Sequence, residues 1–234
     1  MVLRMKRTMT AALIFALAAP AFAADRRYTV TDFDRIQVEG AFDVVLKTGK
    51  APSARAIGDN EALERVSIEV QGRILKVRPN RSAWGGYPGK DAGAVAIELT
   101  TRELRAASVT GSGSLAIDKA KAMRFDLTLS GSGRLSIGRV EADNLVVGLV
   151  GAGRMSVGGK VKRLKATVQG SGDFDGAGLV VEDAQIRADT SGAIALAATR
   201  TSDVVSSGAG DTTVAGKSAC TVKALGSGRV RCGQ

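Results

Sequence analysis

The chain contains no histidine, and this single absence removes several chemistries at once. Neither a Ser-His nor a Cys-His catalytic pair can form, and a metal site of the His or Cys type lacks ligands. Cysteine occurs only twice, as Cys220 and Cys232. Aromatic residues are 4% of the chain, with one tryptophan and two tyrosines. So few aromatics, on a chain that carries an export leader, make nucleic acid a poor partner. No P-loop or dinucleotide glycine motif opens a helix. Charges are dispersed, with no run of one sign. The one long apolar stretch, Met9 to Ala19, is shorter than the roughly 20 residues of a bilayer span, and Pro20 interrupts its end.

That stretch reads as an export leader. Arg4, Lys6 and Arg7 form a basic n-region, Met9 to Ala19 an apolar h-region, and Ala21-Phe22-Ala23 a small-x-small cleavage site. The expectation is a signal peptide over 1–23 and a mature chain from Ala24 to Gln234, periplasmic or extracellular. It would have no transmembrane anchor and no cysteine for lipid attachment. Cleavage removes three basic residues and takes the formal charge from +10 to +7. A basic exported protein can meet anionic partners such as acidic glycans. The simpler account is that scattered Lys and Arg keep a β-structure soluble and its edges unpaired.

Glycine is abundant and ordered. The chain reads GSG at 111–113 and 131–133, GAG at 151–153, GSG at 170–172, TSG at 190–192, GAG at 208–210 and GSG at 226–228, in steps of 20, 20, 19, 20, 18 and 18 residues. Such a period marks a repeat fold whose units bury their apolar faces by stacking. Two residues past each phrase stand Leu115, Leu135, Met155, Phe174, Ile194, Thr212 and Val230. Two before stand Val109, Leu129, Leu149, Val168, Ala188, Ser206 and Ala224. Apolar positions alternate with small or polar ones on both sides, the period-2 pattern of strands. Each repeat is therefore expected to be strand, tight corner, strand, in a solenoid of 18–20-residue rungs over 104–234. The third position is glycine in every copy: Gly113, Gly133, Gly153, Gly172, Gly192, Gly210 and Gly228. Glycine there implies either positive φ or a corner too crowded for a Cβ.

Residues 24–103 read as a β-rich half without the strict period. Ile36 and Val38, then Val44 and Leu46, alternate around Gly40, and Ile68 to Val77 repeat the pattern around Gly72. Asp59-Asn60 opens a short segment to Glu64 that suits one capped helical turn. The loop 79–93, PNRSAWGGYPGKDAG, holds Trp84 and Tyr87. This pair either offers a stacking surface to a sugar ring or partner, or folds back over the end of the solenoid.

Cys220 and Cys232 fall on inward columns at either end of the last repeat. An exported protein would oxidise such a pair, provided the terminal rung brings their Cα atoms within about 7 Å. Asp appears directly after the phrase only at Asp173 and Asp211, so calcium-roll spacing is absent. Asp173 and Asp175 are the nearest approach to the paired acids of a glycan-cleaving enzyme. No catalytic residue, metal site or cofactor is assigned.

The segments FDRIQVEGAFDVVL, GDNEALERVSIEVQGRILKV, LSGSGRLSI and LVGAGRMSV together resemble the GIN-domain proteins, a DUF2807-type family also called auto-transporter adhesin head domains. The resemblance spans about 30–233. It implies an exported all-β solenoid of the right-handed β-helix-like class and carries no enzyme activity onto particular residues. The expected function is a non-enzymatic, adhesin-like envelope protein whose partner is an envelope glycan or another envelope protein. A self-associating scaffold and a β-helix polysaccharide-active enzyme are the alternatives.

Overall fold

The computed structural model describes residues 24–80 and 94–233. The structure is a β-solenoid of about six turns, and among the described residues sixteen strands join in one sheet. The N-terminal part contains β1 (Ala24–Tyr28), β2 (Arg35–Glu39), β3 (Asp43–Thr48), β4 (Ser53–Gly58), α1 (Asn60–Glu64), β5 (Val66–Gln71), β6 (Ile74–Pro79), β7 (Ala96–Thr101) and β8 (Ala106–Gly111). The long strands β9 (Ser114–Gly131), β10 (Arg134–Gly151), β11 (Arg154–Gly170), β12 (Asp173–Thr190) and β13 (Ile194–Ser206) follow. The chain continues through β14 (Thr212–Ala215), β15 (Ala219–Ala224) and β16 (Val230–Cys232).

The first rungs are not stacked in chain order. The β2–β3 rung sits beneath β8 and the start of β9, and the β6–β7 rung sits beneath β2–β3, all in parallel register. Antiparallel strands close this end: β4 on β7, β1 on β4 and β5 on β6. The one-turn helix α1, with Asp59 at its N-cap, buries Ala62 and Leu63 beside them. Asp34 is buried at the foot of β2, where Arg73 Nε donates to its Oδ2 at 2.9 Å and Arg35 and Arg105 stand at 3.9 Å. That carboxylate ties three rungs together at their start.

From β8 onward the stack follows the sequence period. Leu115 pairs with Leu135, Leu135 with Met155, and Met155 with Phe174, while Leu129 pairs with Leu149 and Leu149 with Val168. These columns are buried. The rung, however, has three segments rather than two. In β9 the alternation breaks at Asp118-Lys119 and again at Met123-Arg124, where two neighbours in a row face solvent. Consecutive outward residues mark a bend, because a straight strand alternates. A short middle segment thus lies between the two expected strands, and it buries Ala120, Val140, Val161, Val181 and Ala198.

The core thins along the stack. One inward column runs Phe125, Leu145, Leu164, Ala184, Ser202, and another Leu129, Leu149, Val168, Ala188, Ser206, all buried. Ser206 Oγ and Thr212 Oγ1 are buried without a hydrogen bond. On the rung of β15, Val222 and Leu225 are 43% and 64% exposed. There Cys220 and Cys232 are joined by a disulfide, with Cα atoms 6.4 Å apart. That separation is within the range a disulfide spans.

A groove across the middle faces

The middle segments line an open groove of about 1180 Å³, and a second furrow of about 530 Å³ lies beside it along the bend. Its walls come from successive rungs, so every lining column is a ladder of outward side chains. One column reads Lys121, Glu141, Lys160, Val180. Another begins at Met123, Asp143 and Lys162, with Glu182 on the next rung. Met123 is 80% exposed, an uncommon position for a large apolar side chain.

The charges of the groove are largely matched one rung apart. Lys162 Nζ lies 2.8 Å from Asp143 Oδ1, and Lys121 Nζ lies 3.7 Å from Glu141 Oε2. Asp183 accepts from Arg200 and from Thr201 Oγ1. The Lys162 ammonium beside Asp143 holds that carboxyl below the usual carboxylate range and is itself raised in return. Arg200, with help from Thr201, lowers Asp183 in the same way. Four cations stay outside this pairing: Arg139, Lys160, Arg163 and Lys165 have no ion pair among the described residues.

The uneven pairing has a source in the sequence. Residues 151–172 carry Arg154, Lys160, Lys162, Arg163 and Lys165 and no carboxylate, whereas 173–192 carry five acids and only Arg187. One basic rung therefore lies on one acidic rung. Opposite charges one period apart, such as Lys121 with Glu141, are the signal that could have located the groove from sequence. Column reading anchored on the glycines does not reach them.

The residues singled out in the sequence lie elsewhere. Trp84 and Tyr87 are outside the described residues. Asp173 and Asp175 stand on the face after the glycine corner, away from the groove. Asp173 accepts from Ala193 N–H at 3.0 Å and from Arg154 at 3.0 Å, and Asp175 from Ala177 N–H at 3.1 Å. The Ala193 amide first, and Arg154 second, keep Asp173 below the ordinary value. Among the described residues no cluster of three or more Cys, Asp or Glu could hold a metal ion.

At the corners, the phrase's first glycines, Gly111, Gly131, Gly151 and Gly170, carry positive φ of 106–116°. The third glycines do not; they are crowded instead. A Cβ on Gly133 would lie 2.3 Å from Gly113 O, and one on Gly210 closer still to Gly192 O. The middle residues face solvent, and backbone bonds such as Ser132 N–H to Gly111 O at 3.0 Å and Ala152 N–H to Gly131 O at 3.0 Å hold the corners together.

Comparison with known proteins decides the family. Residues 32–218 match the family model described as "Putative auto-transporter adhesin, head GIN domain". The chain belongs to this family. Solved structures share the GIN-domain fold. A "putative adhesin" from Bacteroides fragilis is 17% identical with a TM-score of 0.81, covering 91% of this chain and 97% of its own. A "putative lipid binding protein" from Parabacteroides distasonis is 24% identical with a TM-score of 0.71, over 91% and 97% of the two chains. A further "putative adhesin" from the same species is 20% identical, with a TM-score of 0.68 and coverage of 91% and 98%. Comparison with curated proteins returns no match. Among the described residues no helix of this GIN-domain chain is long and apolar enough to cross a membrane.

Proposed function

We propose that the chain is an exported, non-enzymatic binding module of the adhesin type, which holds an envelope ligand along the groove of its middle faces. The carrying observation is the state of the carboxylates that could do acid–base work. A glycan-cleaving acid must stay protonated near neutral pH, which requires a raised pKa. Asp143 and Asp183 beside the groove, and Asp173 on the next face, are all pulled the opposite way by cations or amides. These three groups are held as ion-paired or amide-bound carboxylates, which suits a surface that binds. The family description as an adhesin head supports the same reading.

The self-associating alternative has one observation in its favour, the exposed Val222 and Leu225. The same rungs carry Lys217, Lys223, Arg229 and Arg231 against the single Asp211. Two such ends would bring like charges together, which opposes self-pairing.

The test is retention of the mature chain on a panel of immobilised envelope glycans. Binding without release of shortened products is expected, and turnover would overturn the non-enzymatic reading. A Trp84→Ala, Tyr87→Ala double variant with unchanged retention would remove the 79–93 loop from the binding surface.

A further inference from the structure

We infer that the groove selects a linear anionic polymer whose negative groups meet Arg139 and Lys160. This rests on the groove being the binding surface. Glu141, which faces Lys160 in the ladder, is already taken by Lys121, and the neighbouring Asp143 by Lys162, while Arg139 faces Lys119. Arg139 and Lys160 belong to consecutive rungs and are offset by two positions along the strand direction, because Lys160 stands opposite Glu141. Both are exposed and neither has an ion pair among the described residues. Arg163 and Lys165, equally unpaired, line the adjoining furrow on the same rung as Lys160.

A single small anion would use one such cation. Several unpaired cations in succession, Arg139, Lys160, Arg163 and Lys165, suit a ligand that repeats its own charge. The ends of the groove are apolar: Met123 is 80% exposed on one rung and Val180 is 39% exposed three rungs on. They offer contact to the uncharged faces of the same polymer. Glu182, which has no ion pair in the ladder, tempers the positive field and keeps it local to Arg139 and Lys160.

The experiment measures binding of the mature chain to polygalacturonate, to long-chain polyphosphate and to neutral dextran. The variants are Arg139→Glu with Lys160→Glu, and a control of equal charge change on other faces, Arg134→Glu with Arg187→Glu. Polygalacturonate or polyphosphate is expected to bind in a salt-sensitive manner. The groove variant should weaken binding roughly tenfold or more, and the control several times less. Preference between the two polyanions identifies carboxylate or phosphate as the partner group. Equal losses in both variants would reduce the effect to net charge and overturn the inference, as would binding to neither polyanion. If dextran binds and the groove variant still abolishes it, the groove stands as the binding surface and only the anionic preference falls. Matching far-UV circular dichroism and melting temperatures confirm that each variant is folded.

Discussion

Glycine plays two different parts within three residues of the first four corners. At the first position, Gly111, Gly131, Gly151 and Gly170, a positive φ is adopted, which L side chains rarely take; at the third, φ is ordinary and the neighbouring rung's carbonyl occupies the space a Cβ would need. The two causes were indistinguishable in the sequence, because a column of glycines reads the same under either. They separate on mutation. Gly133→Ala forces backbone apart between two rungs and is expected to cost about 3 kcal/mol or more. Gly49→Ala, at a φ of 80° with nothing within 4 Å, should cost only about 1 kcal/mol of backbone strain. Urea midpoints of the two variants give the comparison, and similar shifts would remove crowding as the cause. The cysteines were legible as a pair because both fall on inward columns of one repeat.

Of the elements, the rung was legible on either side of the glycine phrase and illegible in its middle. Columns such as Leu115–Leu135–Met155 stand out because the corner that fixes their phase never varies. The bend that follows this strand has no such constant: it is Asp118-Lys119 in one rung, Gly138-Arg139 in the next and Gly158-Gly159 in the third. Register shifts cluster there, between Ile137 and Val140 and between Ser156 and Gly159. A pattern that slips by a residue from copy to copy cannot be aligned by period. The middle segment also holds cross-rung ion pairs, and these together with pairs on other faces set the response to acid. Asp25, Asp143, Asp173 and Asp183 all have folded pKa values below the ordinary one. They bind fewer protons folded than unfolded, so their contribution is complete above the unfolded value near 3.9 and is lost as pH falls through the lower folded values. With no histidine to titrate, melting temperature should be flat from about pH 5 to 8 and fall below about pH 4. A clear slope across pH 6–7 would contradict this.

At the scale of the molecule, stability is distributed along one axis. Each rung contacts only its neighbours, so the stack loosens where its interfaces are poorest. Those are the last ones, where Phe125 and Leu129 have given way to Ser202 and Ser206 and the outer rung leaves Val222 exposed. The disulfide spans only 12 positions within that rung; closing a loop of this size contributes about 3 kcal/mol, and locally. Hydrogen exchange should find β15 and β16 the fastest-exchanging ladder strands and β9 to β11 the slowest. Reduction of Cys220–Cys232 should accelerate the first group by about tenfold or more and leave the second unchanged. Acceleration of β9 to β11 as well would mean that the stack unfolds as one unit. The N-terminal closure was the least legible part of the architecture, since β6–β7 are stacked beneath β2–β3 although they follow them in the chain.

The groove inherits one property from the corners that build the stack. Its walls are columns, so its cross-section is decided by the content of a rung and its length by how many rungs there are. Gain or loss of one complete repeat would change that length by a single step of about 4.8 Å and leave the profile intact. Gain of one residue inside a strand would turn an apolar column outward. The molecule is in this sense a ruler with fixed graduations. The length of the groove can be adjusted in whole marks, without redesign of its profile.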